Sequence, residues 1–159
     1  MRGAQCFAEA FGAAGGGRQS WRYQYSLQPS FHGADLDVYW PLSPTFPDAG
    51  FRHAFQRIWG SFIRRGRNGP GEQHSVPGDP QRPGMILWSE YSAERPFQMV
   101  LNTTGGVVLE ETLADGQKYP VRASEGIVNA FRVVDAVEWE GGRGERCAFW
   151  LSVSPRVPQ

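Results

Sequence analysis

The sequence predicts an α/β fold in which short strands combine with helices. Apolar and polar residues alternate from Trp21 to Leu27, which is the period of a strand with one buried face. Between residues 51 and 65, bulky apolar residues recur at spacings of three and four, so they share one helical face. They are Phe51, Phe55, Ile58, Trp59 and Phe62. After residue 85, short β-favouring runs are separated by turn residues.

The size and charge of the chain restrict its class. Its 159 residues amount to about one domain. Sixteen basic and sixteen acidic residues cancel, so no long-range field draws nucleic acid or anionic lipid to the chain. No stretch approaches the ~20 consecutive apolar residues of a membrane helix. The N-terminal residues lack the unbroken apolar run of a signal peptide. We therefore expect no nucleic-acid partner, no membrane span and no signal peptide on this chain.

The remaining elements follow from turn residues and composition. Gly66 is a natural helix stop, and residues 66–84 form a Pro- and Gly-rich segment that we expect to be an exposed insert. The runs MILWSEY and PFQMVLNTTGGVVLEE predict strands. GIVNAFRVVDAVEW is compatible with a helix or with strands, and ERCAFWLSV predicts a compact last element.

His32 is the first candidate for chemistry. It follows the predicted strand in PSFHGADLDVYW, and imidazole, with an ordinary pKa of about 6.5, can transfer protons near neutral pH. On its neighbours alone, a surface or structural histidine is the more common case. His53 lies on the predicted helix and His74 in the insert, and no His or Cys pair has metal-ligand spacing. We expect neither a metal nor a cofactor.

Five segments in order resemble the type-B carboxylesterases, the α/β-hydrolase family that includes cholinesterases and fungal lipases. SFHGADLDVYW is similar to the histidine loop of that family, and FQRIWGSFIRRGRNGP to the helix and turn after it. ILWSEY and MVLN resemble two later strands, and GERCAFW resembles the terminal Cys-x-x-Trp helix. The similarity spans about residues 5–155 and fits the secreted fungal branch best.

The resemblance implies a serine hydrolase that cleaves a small-molecule carboxylic ester through an acyl-enzyme. His32 matches the triad histidine, the general base that takes the serine proton and later protonates the leaving alcohol. Yet no serine lies in a Gly-x-Ser-x-Gly elbow, and RASEG around Ser124 lacks the first glycine. In the family, the nucleophile, the triad acid and the oxyanion segment precede the histidine. Residues 1–159 are therefore expected to be the C-terminal portion of an α/β-hydrolase with an incomplete sheet. The alternatives are a catalytically inactive cholinesterase-like binding module and a truncated gene product.

The resemblance also implies roles for other residues. An acidic residue three positions after the histidine is a family feature, which Asp35 matches. Asp35 either caps the following turn, the interpretation we favour because Asp is a common N-cap, or hydrogen-bonds near the active site. The aromatic residues Phe31, Tyr39 and Trp40 are interpreted as core rather than as a substrate pocket.

Secretion of the parent protein would have two covalent consequences. Asn102 begins an Asn-Thr-Thr triplet, an acceptor for N-glycosylation. In the family, cysteines at the places of Cys6 and Cys147 are joined, which implies a Cys6–Cys147 disulfide and an oxidising, extracellular compartment for the parent.

Overall fold

A three-stranded sheet with a long helix on one face forms the centre of the structure. The computed structural model describes residues 17–40, 48–66, 88–112, 116–123 and 125–156. The helices are α1 (Leu36–Tyr39), α2 (Ala49–Arg65) and α3 (Trp139–Val153), followed by a 3-10 turn at Ser154–Arg156. The strands are β1 (Tyr23–Tyr25), β2 (Phe97–Leu101), β3 (Thr103–Thr104), β4 (Val107–Thr112), β5 (Lys118–Ala123), β6 (Val128–Asn129) and β7 (Arg132–Asp135).

The central sheet has the order β1-β2-β7. β1 pairs in parallel with β2, with Tyr23 opposite Met99, and β2 pairs antiparallel with β7, with Met99 opposite Val133. Because side chains alternate along a strand, Tyr23, Met99 and Val133 form one row on the same face. β3 pairs with β6 and β4 with β5 in separate two-stranded sheets. In the described part of the chain, β1 is therefore an edge strand.

Local sequence sets both ends of α2. The Asp48 carboxylate accepts hydrogen bonds from the backbone N–H groups of Gly50 and Phe51, at 2.8 and 3.4 Å, and so caps the helix start. Gly66 ends the helix with a φ of 52°, a conformation that glycine adopts without a Cβ clash. Arg64 donates from Nε to the Gly60 carbonyl within the last turns.

The core lies between α2 and the row of side chains on the sheet. It consists of Leu27, Val38, Phe51, Ala54, Phe55, Ile58, Met99, Leu101 and Phe131. Phe51 and Phe55 are fully buried, and their rings meet Tyr25 and Tyr23 of β1 edge-to-face with centroids 5.9 and 6.0 Å apart. Aromatic pairs in this geometry stabilise a core beyond the area that they bury.

The opposite face of the sheet carries a network of polar side chains beside the buried Val100. Gln24 of β1 accepts hydrogen bonds at its Oε1 from Gln98 Nε2 and Trp139 Nε1, at 3.1 and 3.0 Å. Its Nε2 donates to Glu140 Oε1 at 2.7 Å. Glu140–Gly142 have positive φ, so the right-handed part of α3 begins after Gly142. One amide side chain thus fastens the start of α3 to the sheet.

The structure confirms most of the predicted elements and changes some of them. The predicted helix at 51–65 is α2, and the predicted alternating strand is present but is regular only over Tyr23–Tyr25. GIVNAFRVVDAVEW contains the strands β6 and β7. ILWSEY does not form a strand over its described residues 88–91, although the Tyr91 N–H donates to the Ser20 carbonyl. The insert at 66–84 lies outside the described residues apart from Gly66. Mixed helices and short strands agree with the α/β class.

Two backbones approach closely where Gly105 meets Gly126. A Cβ on Gly105 would lie 2.1 Å from the Gly126 carbonyl oxygen, whereas a Cβ on Gly116 has no heavy atom within 4 Å. Both glycines have positive φ, +73° and +78°. Only Gly105 would add a steric clash to the backbone strain that both substitutions share.

We therefore expect Gly105→Ala to destabilise the chain more than Gly116→Ala. The control should lose about 1 kcal/mol from backbone strain alone, and Gly105→Ala several times that, measured by urea unfolding. Equal losses for the two variants would contradict the close approach.

Candidate active site around His32

His32 lies in a tight turn that begins at Phe31, six residues after the end of β1. The turn is closed by backbone hydrogen bonds from Ala34 N–H to the Phe31 carbonyl, at 3.1 Å, and from Leu36 N–H to the Gly33 carbonyl, at 3.0 Å. Gly33 has a φ of +79°, which explains the glycine after the histidine. The His32 side chain is exposed and makes no hydrogen bond to a described residue.

Asp35 does not cap the helix that follows it. It occupies the N-cap position of α1, but its side chain makes no capping hydrogen bond. Its Oδ2 instead accepts a hydrogen bond of 2.8 Å from the Tyr23 hydroxyl. The capping interpretation is therefore wrong, because the carboxylate turns towards Tyr23 of β1, and the N–H groups of Leu36 and Val38 at the start of α1 donate to the carbonyls of Gly33 and Asp35. Asp35 ties the histidine turn to the sheet.

The contact between Tyr23 and Asp35 lies in a group of three tyrosines, Tyr23, Tyr25 and Tyr39. The hydroxyl oxygens of Tyr23 and Tyr39 lie 3.5 Å apart. Burial, followed by the hydrogen bonds with Tyr39 and Asp35, raises the pKa of Tyr23 far above its usual value. Burial and the charges of Asp37 and Asp35 also raise the pKa of Tyr25, and burial raises that of Tyr39. All three phenols stay protonated near neutral pH and can act as donors.

The aromatic residues of the loop are not all core. Phe31 is 50% exposed and Trp40 is 68% exposed, so the interpretation of these two as core is wrong. Tyr39 is half-buried and packs against Phe55, with ring centroids 5.1 Å apart. The Phe31 ring meets that of Tyr119, at 5.5 Å, so β5 contacts the residue next to His32. The histidine is bordered by apolar surface.

The predicted covalent sites are placed as follows. Asn102 is half-buried, its Oδ1 accepts from the Thr103 N–H at 2.8 Å, and it lines an open cleft with Asp48 and Arg122. Its glycosylation stays a prediction.

Cys147 is a free thiol on α3, so the structure contains no bridge at this cysteine. Cys6 lies outside the described residues, and the pairing stays a prediction.

Sequence reasoning missed Tyr23. The alternation of β1 indicates which face Tyr23 occupies, but not that its hydroxyl reaches a carboxylate twelve residues further on. The only available signal was a phenol on the apolar face of a strand, since a buried tyrosine hydroxyl normally has a hydrogen-bond partner.

The described residues offer neither a metal-binding cluster nor a membrane-crossing helix. No group of three or more His, Cys, Asp or Glu side chains could hold a metal ion among residues 17–156, leaving aside the gaps in that range. Within the same described segments, no helix has the length and apolar character needed to cross a membrane.

No protein-family model, curated protein or solved structure matches the chain.

The tyrosine cluster predicts a loss of stability in alkali. Unfolded tyrosines ionise near pH 10, whereas Tyr23, Tyr25 and Tyr39 have raised pKa values in the folded chain. Their contribution to stability is complete below about pH 10 and decreases as the pH rises towards the folded values, because only the unfolded state releases protons. The urea midpoint should therefore fall between about pH 10 and pH 11.

Tyr23→Phe supplies the control for this titration. It removes one titrating group, so stability should decrease less steeply above about pH 10 than in the unmodified chain. The ultraviolet absorbance of phenolate should rise for these residues only as the chain unfolds. Full ionisation of all tyrosines in the folded chain near pH 10 would contradict the raised values.

Proposed function

We propose that this chain is the histidine-bearing part of a carboxylic ester hydrolase in which His32 is the general acid and base. The serine nucleophile, the triad acid and the oxyanion donors belong to a polypeptide segment outside these 159 residues. The substrate is a small-molecule ester, and the chain works without a metal or cofactor. The parent protein is secreted.

The position of His32 is the main observation in support of this proposal. The imidazole is exposed in a turn after a parallel strand, and it has no hydrogen-bond partner among the described residues. Since open α/β sheets bind ligands beyond the carboxyl ends of parallel strands, this is a suitable place for a catalytic group. A general base must be accessible to the proton that it removes.

The sheet provides a second argument. In the described part of the chain, β1 has a neighbour only on the β2 side. Parallel sheets are normally covered on both faces and extend over several strands. A parallel edge strand beside the histidine is compatible with further strands supplied by the segment that carries the nucleophile.

The chemistry follows from these parts. His32 would take the proton of the serine hydroxyl as the oxygen attacks the ester carbonyl, and would then give that proton to the leaving alcohol. Water, activated by the same imidazole, would release the acid. The exposed apolar side chain of Phe31 would border the ester.

A catalytically inactive binding module is the second candidate. Phe149 and Trp150 on α3 are 59% and 49% exposed, which is unusual for large aromatic residues. An interaction role would use such a surface and would not need His32.

Ester hydrolysis tests the first proposal. The purified chain alone should hydrolyse a short-chain aryl ester no faster than free imidazole, because it lacks a nucleophile. In a longer polypeptide that supplies a Gly-x-Ser-x-Gly elbow, His32→Ala should lower kcat by several orders of magnitude.

His53→Ala is the matched control, since His53 is an exposed histidine on α2. It should leave kcat unchanged. His32→Ala should also change the free energy of unfolding by urea by less than about 0.5 kcal/mol, because the exposed imidazole has no hydrogen-bond partner among the described residues. A near-normal rate for His32→Ala would exclude the proposed role and favour the binding module.

A further inference from the structure

Among the described residues, a side-chain hydrogen bond from Tyr23 attaches the histidine turn to the central sheet. We infer that Tyr23 is a positioning residue whose hydroxyl, through Asp35, fixes the turn that carries His32. This inference rests on the proposed role of His32 and adds a residue to that site.

The ring of Tyr23 is held by α2. Its centroid lies 6.0 Å from those of Phe55 and Trp59, and both contacts are edge-to-face. Phe55 is fully buried. Because two rings of one helix fix the phenol plane, the direction of its hydroxyl is set by the core rather than by the loop.

The hydroxyl of Tyr23 reaches both ends of α1. It donates to Asp35, the residue before the helix, at 2.8 Å. Since its one proton is used there, the Tyr39 hydroxyl at the end of the helix donates to the Tyr23 oxygen, 3.5 Å away. The bond to the carboxylate is the shorter, and bonds to charged acceptors are the stronger class. Tyr23 therefore fixes where α1 begins.

The position of His32 follows from this attachment. The turn from Phe31 to Leu36 is closed by its own backbone hydrogen bonds, so it behaves as one unit. Leu27 is buried in the core on one side of it, and Asp35 is held on the other. His32 makes no hydrogen bond, ion pair or ring contact of its own among the described residues. Its imidazole is therefore placed by these two anchors, together with the contact of Phe31 with Tyr119 and the buried Val38.

The tyrosine could instead stabilise the whole fold without any local effect on the turn. The two roles differ in which amides lose protection when the hydroxyl is removed. If Tyr23 positions the turn, removal of its hydroxyl lowers amide protection in the turn and leaves that of α2 unchanged. If Tyr23 stabilises the whole fold, amide protection falls in both.

Hydrogen exchange of the complete chain separates these outcomes. In Tyr23→Phe, the amides of Ala34 and Leu36 should exchange about tenfold faster or more, because a hydrogen bond to a charged group is lost. The Phe55 amide of α2 should change little. Asp35→Ala should give the same pattern, and Asp35→Asn, which keeps an acceptor oxygen, should restore much of the protection.

Two tyrosine variants serve as matched controls. Tyr25 is also half-buried on β1, but its hydroxyl has no hydrogen-bond partner among the described residues, so Tyr25→Phe should leave the turn as it is. Tyr39→Phe keeps the bond between Tyr23 and Asp35 and should also have little effect.

The inference is overturned if Tyr23→Phe changes the amide exchange rates of Ala34 and Phe55 by the same factor, or if it leaves the exchange rate of Ala34 unchanged. Exchange is measured without an ester, so this result is independent of activity. If the parent protein hydrolyses no ester while Tyr23→Phe still loosens the turn, the catalytic role of His32 is excluded but the attachment through Tyr23 is retained.

Discussion

The structure depends on the contact between the aromatic face of α2 and the tyrosines of β1. Phe51 and Phe55 pack edge-to-face on Tyr25 and Tyr23, and this contact covers the one apolar face of the central sheet. A three-residue strand has few backbone hydrogen bonds, so its side chains add to the position that pairing with β2 gives it. Packing on α2 supports the end of β1 from which the chain continues to the histidine turn.

The same contact connects the core to the candidate site. The apolar part of Tyr23 belongs to the core, whereas its hydroxyl meets a carboxylate next to the exposed turn. An amphipathic side chain of this type transmits the rigidity of packed rings to a polar group several ångströms away. The histidine loop can therefore have a defined position although the histidine side chain itself is exposed.

The sequence predicted the elements better than the contacts between them. The spacing of Phe51, Phe55 and Ile58 identified α2 because helical periodicity is a local property. The partner of Asp35 could not be predicted, since Asp is equally suited to capping, and the choice depends on a phenol that tertiary packing places nearby. The exposure of Trp40 was missed for a similar reason: composition does not indicate which aromatic side chain of a loop stays exposed. GIVNAFRVVDAVEW was ambiguous until pairing with β2 made part of it a strand.

The Gln24 amide in the network of polar side chains on the sheet restricts which sequences can maintain the fold. Its oxygen accepts two hydrogen bonds, and its nitrogen donates to Glu140. Glutamate has the same shape but would place a second negative charge against Glu140, and leucine would leave the donors of Gln98 and Trp139 without an acceptor. Asparagine is one methylene too short to repeat the same reach. Few substitutions at this position are therefore compatible with the fold, although its side chain points to the face of the sheet opposite Tyr23.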